Sequence, residues 1–130
     1  MSSFTVDTTA PTLAEVTAVT TPTTDSTPDY TFSSDEAGTI SYGGSCSSST
    51  TSAINGNTSI TLTSLSDATY SDCTLTVTDT AGNVSSALSL STFVVDSTAS
   101  TLAEVTAITT PTTDSTPDYT FSSDEAVTIS

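Results

Sequence analysis

Cys73-Thr74-Leu75-Thr76-Val77-Thr78-Asp79 alternates without a break. Cys73, Leu75 and Val77 fall on one face of the segment, and Thr74, Thr76 and Thr78 on the other. Successive side chains of a β-strand point to opposite faces, so this period of two marks a strand with one buried side. The run is rich in β-branched residues, which fit a pleated, half-buried surface. Thr80-Ala81-Gly82-Asn83 follows as a turn, with Gly82 and Asn83 expected to supply positive φ. Beyond it a strand G is expected, with Leu88 and Leu90 inward.

The same alternation extends outward from this stretch. It predicts a strand A over Leu13 to Thr20 and a turn-rich connection TTPTTDSTPD over residues 20–29. Strand B follows over Asp29 to Ser33, with Tyr30 and Phe32 on one face. Strand C is expected from Thr39 to Gly43, with Ile40 and Tyr42 inward. After a turn at Asn55-Gly56, strand E places Ile60 and Leu62 inward. No segment carries a helical period of useful length. The chain therefore reads as all-β, with two sheets closing over one small core.

Residues 4–41 recur as residues 93–130, a period of 89. Five positions differ, as Thr5/Val94, Thr8/Ser97, Pro11/Ser100, Val19/Ile108 and Gly38/Val127. A repeat of this length suits one sandwich domain. The expected organisation is one complete repeat over residues 4–95, then a partial repeat over 96–130 holding strands A, B and the start of C.

Composition narrows the function. There is no Lys, Arg, His, Trp or Gln, against 15 Asp plus Glu, for a formal net charge of −15. Without His or Lys the usual general bases and Schiff-base nucleophiles are missing, so no enzyme is expected. Without Lys or Arg the chain has no side chain to neutralise phosphate, so neither nucleic acid nor anionic lipid is an expected partner. No apolar run is long enough to span a membrane as a helix. Met1 leads directly into polar repeat sequence, so no signal peptide is expected within this chain. Clustered carboxylates with no basic partner need water, salt or a cation, and Ca²⁺ is the natural candidate because it takes several hard oxygen ligands.

Val6 to Thr12 (VDTTAPT), Thr76 to Ser85 (TVTDTAGNVS) and Leu65 to Tyr70 (LSDATY) together resemble bacterial immunoglobulin-like repeats. Such repeats build very large surface proteins, among them biofilm-associated proteins and calcium-dependent giant adhesins. The resemblance implies an immunoglobulin-like Greek-key sandwich, an extracellular or cell-surface location, and a role as a spacer in a stalk or filament. A ligand-binding adhesion module for a glycan, receptor or surface is the alternative. The absence of Trp on strand C separates the chain from antibody-type domains.

In this topology one end of the sandwich gathers Asp7, Asp35, Glu36, Asp79 and Asn83 as candidate Ca²⁺ ligands. The other end gathers Asp25 and Asp67 near Asp96, and at the junction with the next copy Asp96 is expected to meet Asp124 and Glu125. The competing reading is that these Asp side chains cap turns. Cys46 at the end of strand C and Cys73 at the start of strand F lie at one end of adjacent strands. They are expected either to form a disulfide, which requires an oxidising compartment, or to remain buried free thiols. Asn57-Thr58-Ser59 and Asn83-Val84-Ser85 are sequons.

The partial repeat cannot bury a two-sheet core alone, since an isolated strand pair is marginal in water. Three arrangements are open: packing of the tail in an assembly, folding back as a permuted module, or a head-to-tail swap that completes a neighbouring chain. Contacts with other copies of the same repeat are expected.

Overall fold

A computed structural model of the chain describes all 130 residues, Met1–Ser130. It is all-β, with no helix. In chain order the strands are β1 (Leu13–Thr17), β2 (Asp29–Ser34), β3 (Gly38–Gly43), β4 (Ser52–Ala53), β5 (Gly56–Thr61) and β6 (Ala68–Tyr70). They continue as β7 (Thr74–Thr78), β8 (Leu88–Ser89), β9 (Phe93–Val95), β10 (Leu102–Thr106) and β11 (Thr120–Ser123). The chain divides into two compact units, Met1–Ser97 and Thr98–Ser130.

In the first unit β1, β2 and β5 form one antiparallel sheet in the order β1-β2-β5. A second has the order β4-β3-β7-β8, and β6 and β9 form a short pair. The alternation read from the sequence decides which side chains enter the core. Tyr30 and Phe32 of β2 are buried, as are Ile40 of β3, Ile60 of β5, and Leu75 and Val77 of β7. Phe93 and Val95 of β9 join them in one cluster. Burying a large aliphatic or aromatic side chain contributes roughly 1.5–3 kcal/mol. This cluster supplies most of the drive to fold. Tyr70 stacks on Phe93 with ring centroids 5.2 Å apart.

Several boundaries depart from expectation. Strand A ends at Thr17 rather than Thr20, and its pairing with β2 shifts register between Glu15 and Thr17. Val19 lies beyond the strand yet is buried in the core. Strand G is two strands. β8 pairs with β7, and β9 pairs with β6. The break falls at Ser91, whose amide and hydroxyl both donate to the Glu15 carboxylate (3.0 and 2.6 Å) instead of continuing the β7 ladder. Of the F–G turn, Gly82 alone has positive φ, at 95°, and Asn83 does not. β4 is missing from the sequence reading because two residues carry no period.

Cys46 and Cys73 form a disulfide with a Cα–Cα distance of 5.2 Å. It extends the β3–β7 ladder, whose last pair is Gly43 opposite Thr74. Closing a loop of 27 positions contributes about 3–4 kcal/mol in the chain-entropy description. No helix is long and apolar enough to cross a membrane.

In the second unit β10 and β11 pair alone. Their register, Leu102 to Ser123 through Thr106 to Thr120, repeats that of β1 and β2 at a constant offset, including the shift between Glu104 and Thr106.

One of the five differences has a steric meaning. A Cβ on Gly38 would lie 2.7 Å from Val77 Cγ1 and closer still to the Thr78 carbonyl oxygen. The second copy carries Val127 at that position. Gly38→Val is therefore expected to destabilise the first unit by about 1–3 kcal/mol through overpacking. Val127→Gly should leave the main unfolding transition unchanged. Urea melts of both variants check this.

Candidate functional site

The end of the first unit where β2 runs into β3 collects three carboxylates. Asp7 precedes β1, Glu36 follows β2, and Asp79 follows β7. Their ligand oxygens all lie within 4.8 Å of one another. Asp7 is exposed, Glu36 partly buried and Asp79 buried. Three such groups from separate loops provide part of an oxygen cage for a hard divalent cation, which takes six to eight ligands when it is Ca²⁺.

Neutral donors hold the cluster. The Asn83 Nδ2 donates to Asp79 Oδ2 (2.8 Å) and to the Asp7 backbone carbonyl (3.1 Å). The Asn83 backbone N–H donates to Asp79 Oδ1 (2.8 Å). The turn is closed by the Asp79 amide donating to the Asn83 carbonyl (3.0 Å). Asn83 is therefore a brace between the first and last loops of this end. The sequon at Asn83 shares that amide nitrogen, which is already engaged by Asp79 and Asp7.

Charge crowding appears in the acidities. Desolvation first, then the negative charges of Asp7, Asp79 and Asp35, raise the Glu36 pKa above the ordinary carboxylate value. Asp79 is shifted the other way, lowered chiefly by the hydrogen bond from the Asn83 side chain, with backbone amides of the turn assisting against desolvation.

The remaining candidates divide. Asp35 caps a loop: its Oδ1 accepts the Thr12 amide at 2.7 Å. Asp124 repeats this with Thr101, also at 2.7 Å. Asp7 Oδ1 likewise accepts the Thr9 amide (3.0 Å), so the turn-capping role and membership of the cluster coexist. At the opposite end Asp25 Oδ1 accepts the Thr27 amide (2.8 Å), and Asp67 Oδ1 accepts the amide and hydroxyl of Ser97 (2.9 and 2.7 Å). The Asp96 amide donates to the Thr23 carbonyl (2.9 Å). Asp96 belongs to the first unit, whereas Asp124 and Glu125 belong to the second.

The sequence reading missed Glu15 as a strut. It reaches from β1 to Ser91, between β8 and β9. Burial raises its pKa, but the hydrogen bonds from the Ser91 hydroxyl and amide oppose this, and the pKa is lowered. The signal available in the sequence was a lone acid on an otherwise apolar-facing strand.

A pH dependence follows from the acidic cluster. The Glu36 pKa is raised in the folded state, so the stability tied to its protonated form is present at low pH and is lost as pH rises through that raised value. Asp79 works oppositely, and its contribution is lost as pH falls through its lowered value. Without divalent cations, Glu36→Gln should raise the melting temperature at pH 7 and reduce the gain otherwise seen on mild acidification. Thermal melts at pH 7 and pH 5 test this; an unchanged pH profile would refute it.

No protein-family model, no curated protein and no solved structure matches this chain.

Proposed function

We propose that the chain is a structural repeat module, an immunoglobulin-like Greek-key sandwich recurring every 89 residues. It serves as a spacer or adhesive scaffold in an extracellular bacterial surface stalk or filament, and its partners are further copies of the repeat joined end to end. The observation that carries this reading is polarity. The chain enters the first unit beside Asp79 and Asn83, through Asp7. It leaves at the other end, where Val95 bridges to Thr23 and Ser97 is held by Asp67. Entry and exit at opposite poles let identical units stack without doubling back.

Three further features support it. The Tyr70 hydroxyl donates to the Ser66 carbonyl four residues upstream (2.9 Å), the arrangement of a tyrosine corner. The disulfide fits an oxidising, non-cytoplasmic setting. The duplication of residues 4–41 suits length more than a single recognition site.

The same proposal takes Asp7, Glu36 and Asp79 as ligands that bind Ca²⁺ at the entry pole. The cation would offset the repulsion that raises the Glu36 pKa.

In an array of complete 89-residue repeats, each added copy is expected to lengthen the particle by about 30–40 Å, the span of the β2 strand and its flanking loops. Small-angle scattering on arrays of two, four and six copies measures this; a compact particle of constant length sinks the spacer reading. Separately, millimolar Ca²⁺ should raise the melting temperature, and Asp79→Asn should abolish the rise. Absence of any calcium effect removes the metal and leaves the spacer standing.

A further inference from the structure

The corner that feeds β5 pairs a reactive side chain with an unhindered backbone nitrogen. Asn55 is exposed at the bend between β4 and β5, and Gly56 opens β5. Gly56 has a φ of 125°, a conformation that L side chains rarely adopt, so the backbone requires glycine there. A Cβ added at Gly56 would meet nothing within 4 Å, so solvent has free access to this peptide. The glycine that lets the chain turn also leaves its nitrogen open to the Asn55 side chain one residue before it.

We infer that Asn55-Gly56 is a self-modification site, at which the folded chain converts Asn55 to isoaspartate and aspartate without an enzyme, gated by the last rung of the β2–β5 pairing. The Gly56 nitrogen attacks Asn55 Cγ. An N–Cγ bond forms, the Cγ–Nδ2 bond breaks, and ammonia leaves with the Gly56 amide proton. Water then opens the cyclic imide at either carbonyl. Cleavage of the new N–Cγ bond restores the original backbone with aspartate. Cleavage at the Asn55 backbone carbonyl gives isoaspartate, with the main chain rerouted through the side chain. The net change is one amide and one water to one carboxylic acid and one ammonia. None of this depends on the spacer reading.

The chain has three asparagines, and the other two are obstructed. Asn57 precedes Thr58, which is buried, and Asn83 precedes Val84. Both following residues are β-branched and crowd the approach to their own nitrogen. The Asn83 carboxamide is also tied to Asp79 Oδ2 and the Asp7 carbonyl.

The strand register supplies the gate. The Leu62 amide donates to the Pro28 carbonyl (3.0 Å), and hydrogen-bonded rungs alternate along an antiparallel pair. Along this register the bonded rungs are Tyr30–Ile60, Phe32–Thr58 and Ser34–Gly56, so the Ser34 carbonyl holds the Gly56 N–H. That N–H must be freed before its nitrogen attacks. The Ile54 amide donates to the Thr58 hydroxyl (3.2 Å) and braces the same corner. End rungs open more readily than interior ones, so the reaction proceeds through fraying of this end and not through global unfolding. Asp35 follows the last rung on one side and Asn55 precedes it on the other. The product carboxylate therefore arises at the pole that holds Glu36.

The test incubates the intact chain in mildly alkaline buffer, folded and in concentrated urea, and maps isoaspartate and aspartate by peptide mass spectrometry. In the folded chain Asn55 should convert at least about tenfold faster than Asn57 and Asn83, whose following residues are β-branched. Isoaspartate should appear with aspartate, and Asn55→Gln should accumulate neither at this position. Urea should speed conversion at Asn55 severalfold. Thr58→Val removes the brace and should speed conversion in the folded state by roughly three- to tenfold, the weight of one ordinary hydrogen bond. If Asn55 stays an amide in the folded chain for as long as the chain in urea takes to convert fully, the site is refuted. Aspartate without isoaspartate refutes the imide route. Equal rates in buffer and in urea refute the gate, as does an unchanged rate in a Thr58→Val chain that still melts cooperatively.

Discussion

Fifteen carboxylates and no cationic side chain leave the side chains and backbone of this protein only amide and hydroxyl donors with which to stabilise negative charge. The structure uses them in loop after loop. Asp35 takes the Thr12 amide, Asp25 the Thr27 amide, Asp29 the Thr61 hydroxyl, Asp72 the Ser45 hydroxyl, and Asp67 both donors of Ser97. Hydrogen bonds to charged acceptors are roughly twice as strong as neutral ones. In this chain they join loop to loop at Asp72 and Asp67, strand to strand at Asp29, and close a turn on itself at Asp25. The acids that repel one another through space are thus the clasps that hold the connections in place.

That chemistry bears on the candidate site. Asp79 is buried and lowered in pKa because Asn83 and the turn amides supply it with donors. Glu36, close by, is raised instead. The entry pole therefore combines one satisfied and one frustrated carboxylate. An added cation would act mainly by relieving the second.

The core was legible in the sequence because it rests on period two. Tyr30, Phe32, Ile40, Ile60, Leu75 and Val77 were all placed inward by alternation, and all are buried. Asp7, Glu36 and Asp79 came together as the strand order implied. Other features depend on contacts between segments far apart in the chain. The split of strand G falls where Ser91 bonds to Glu15, 76 residues away, and the sequence around Ser91 does not report such a partner. Asp35 accepts the Thr12 amide, a partner 23 residues away that its local sequence does not announce, while its charge still acts on Glu36. Asn83 offers its amide nitrogen to the cluster, a choice of orientation that residue identity does not specify.

The poles and the disulfide together set how such a unit would respond to tension. At the exit pole, β9 and the segment around Thr23 run parallel, joined by Thr23 donating to Val94 (2.9 Å) and Asp96 donating to Thr23 (2.9 Å). Traction applied between the two ends would load these bonds sideways along the strands, so they must give way together rather than unzip singly. Once they yielded, the Cys46–Cys73 bridge would still withhold its loop, about 90 Å of potential extension. The bond that steadies the resting fold would also act as a tether on how far a ruptured unit can lengthen.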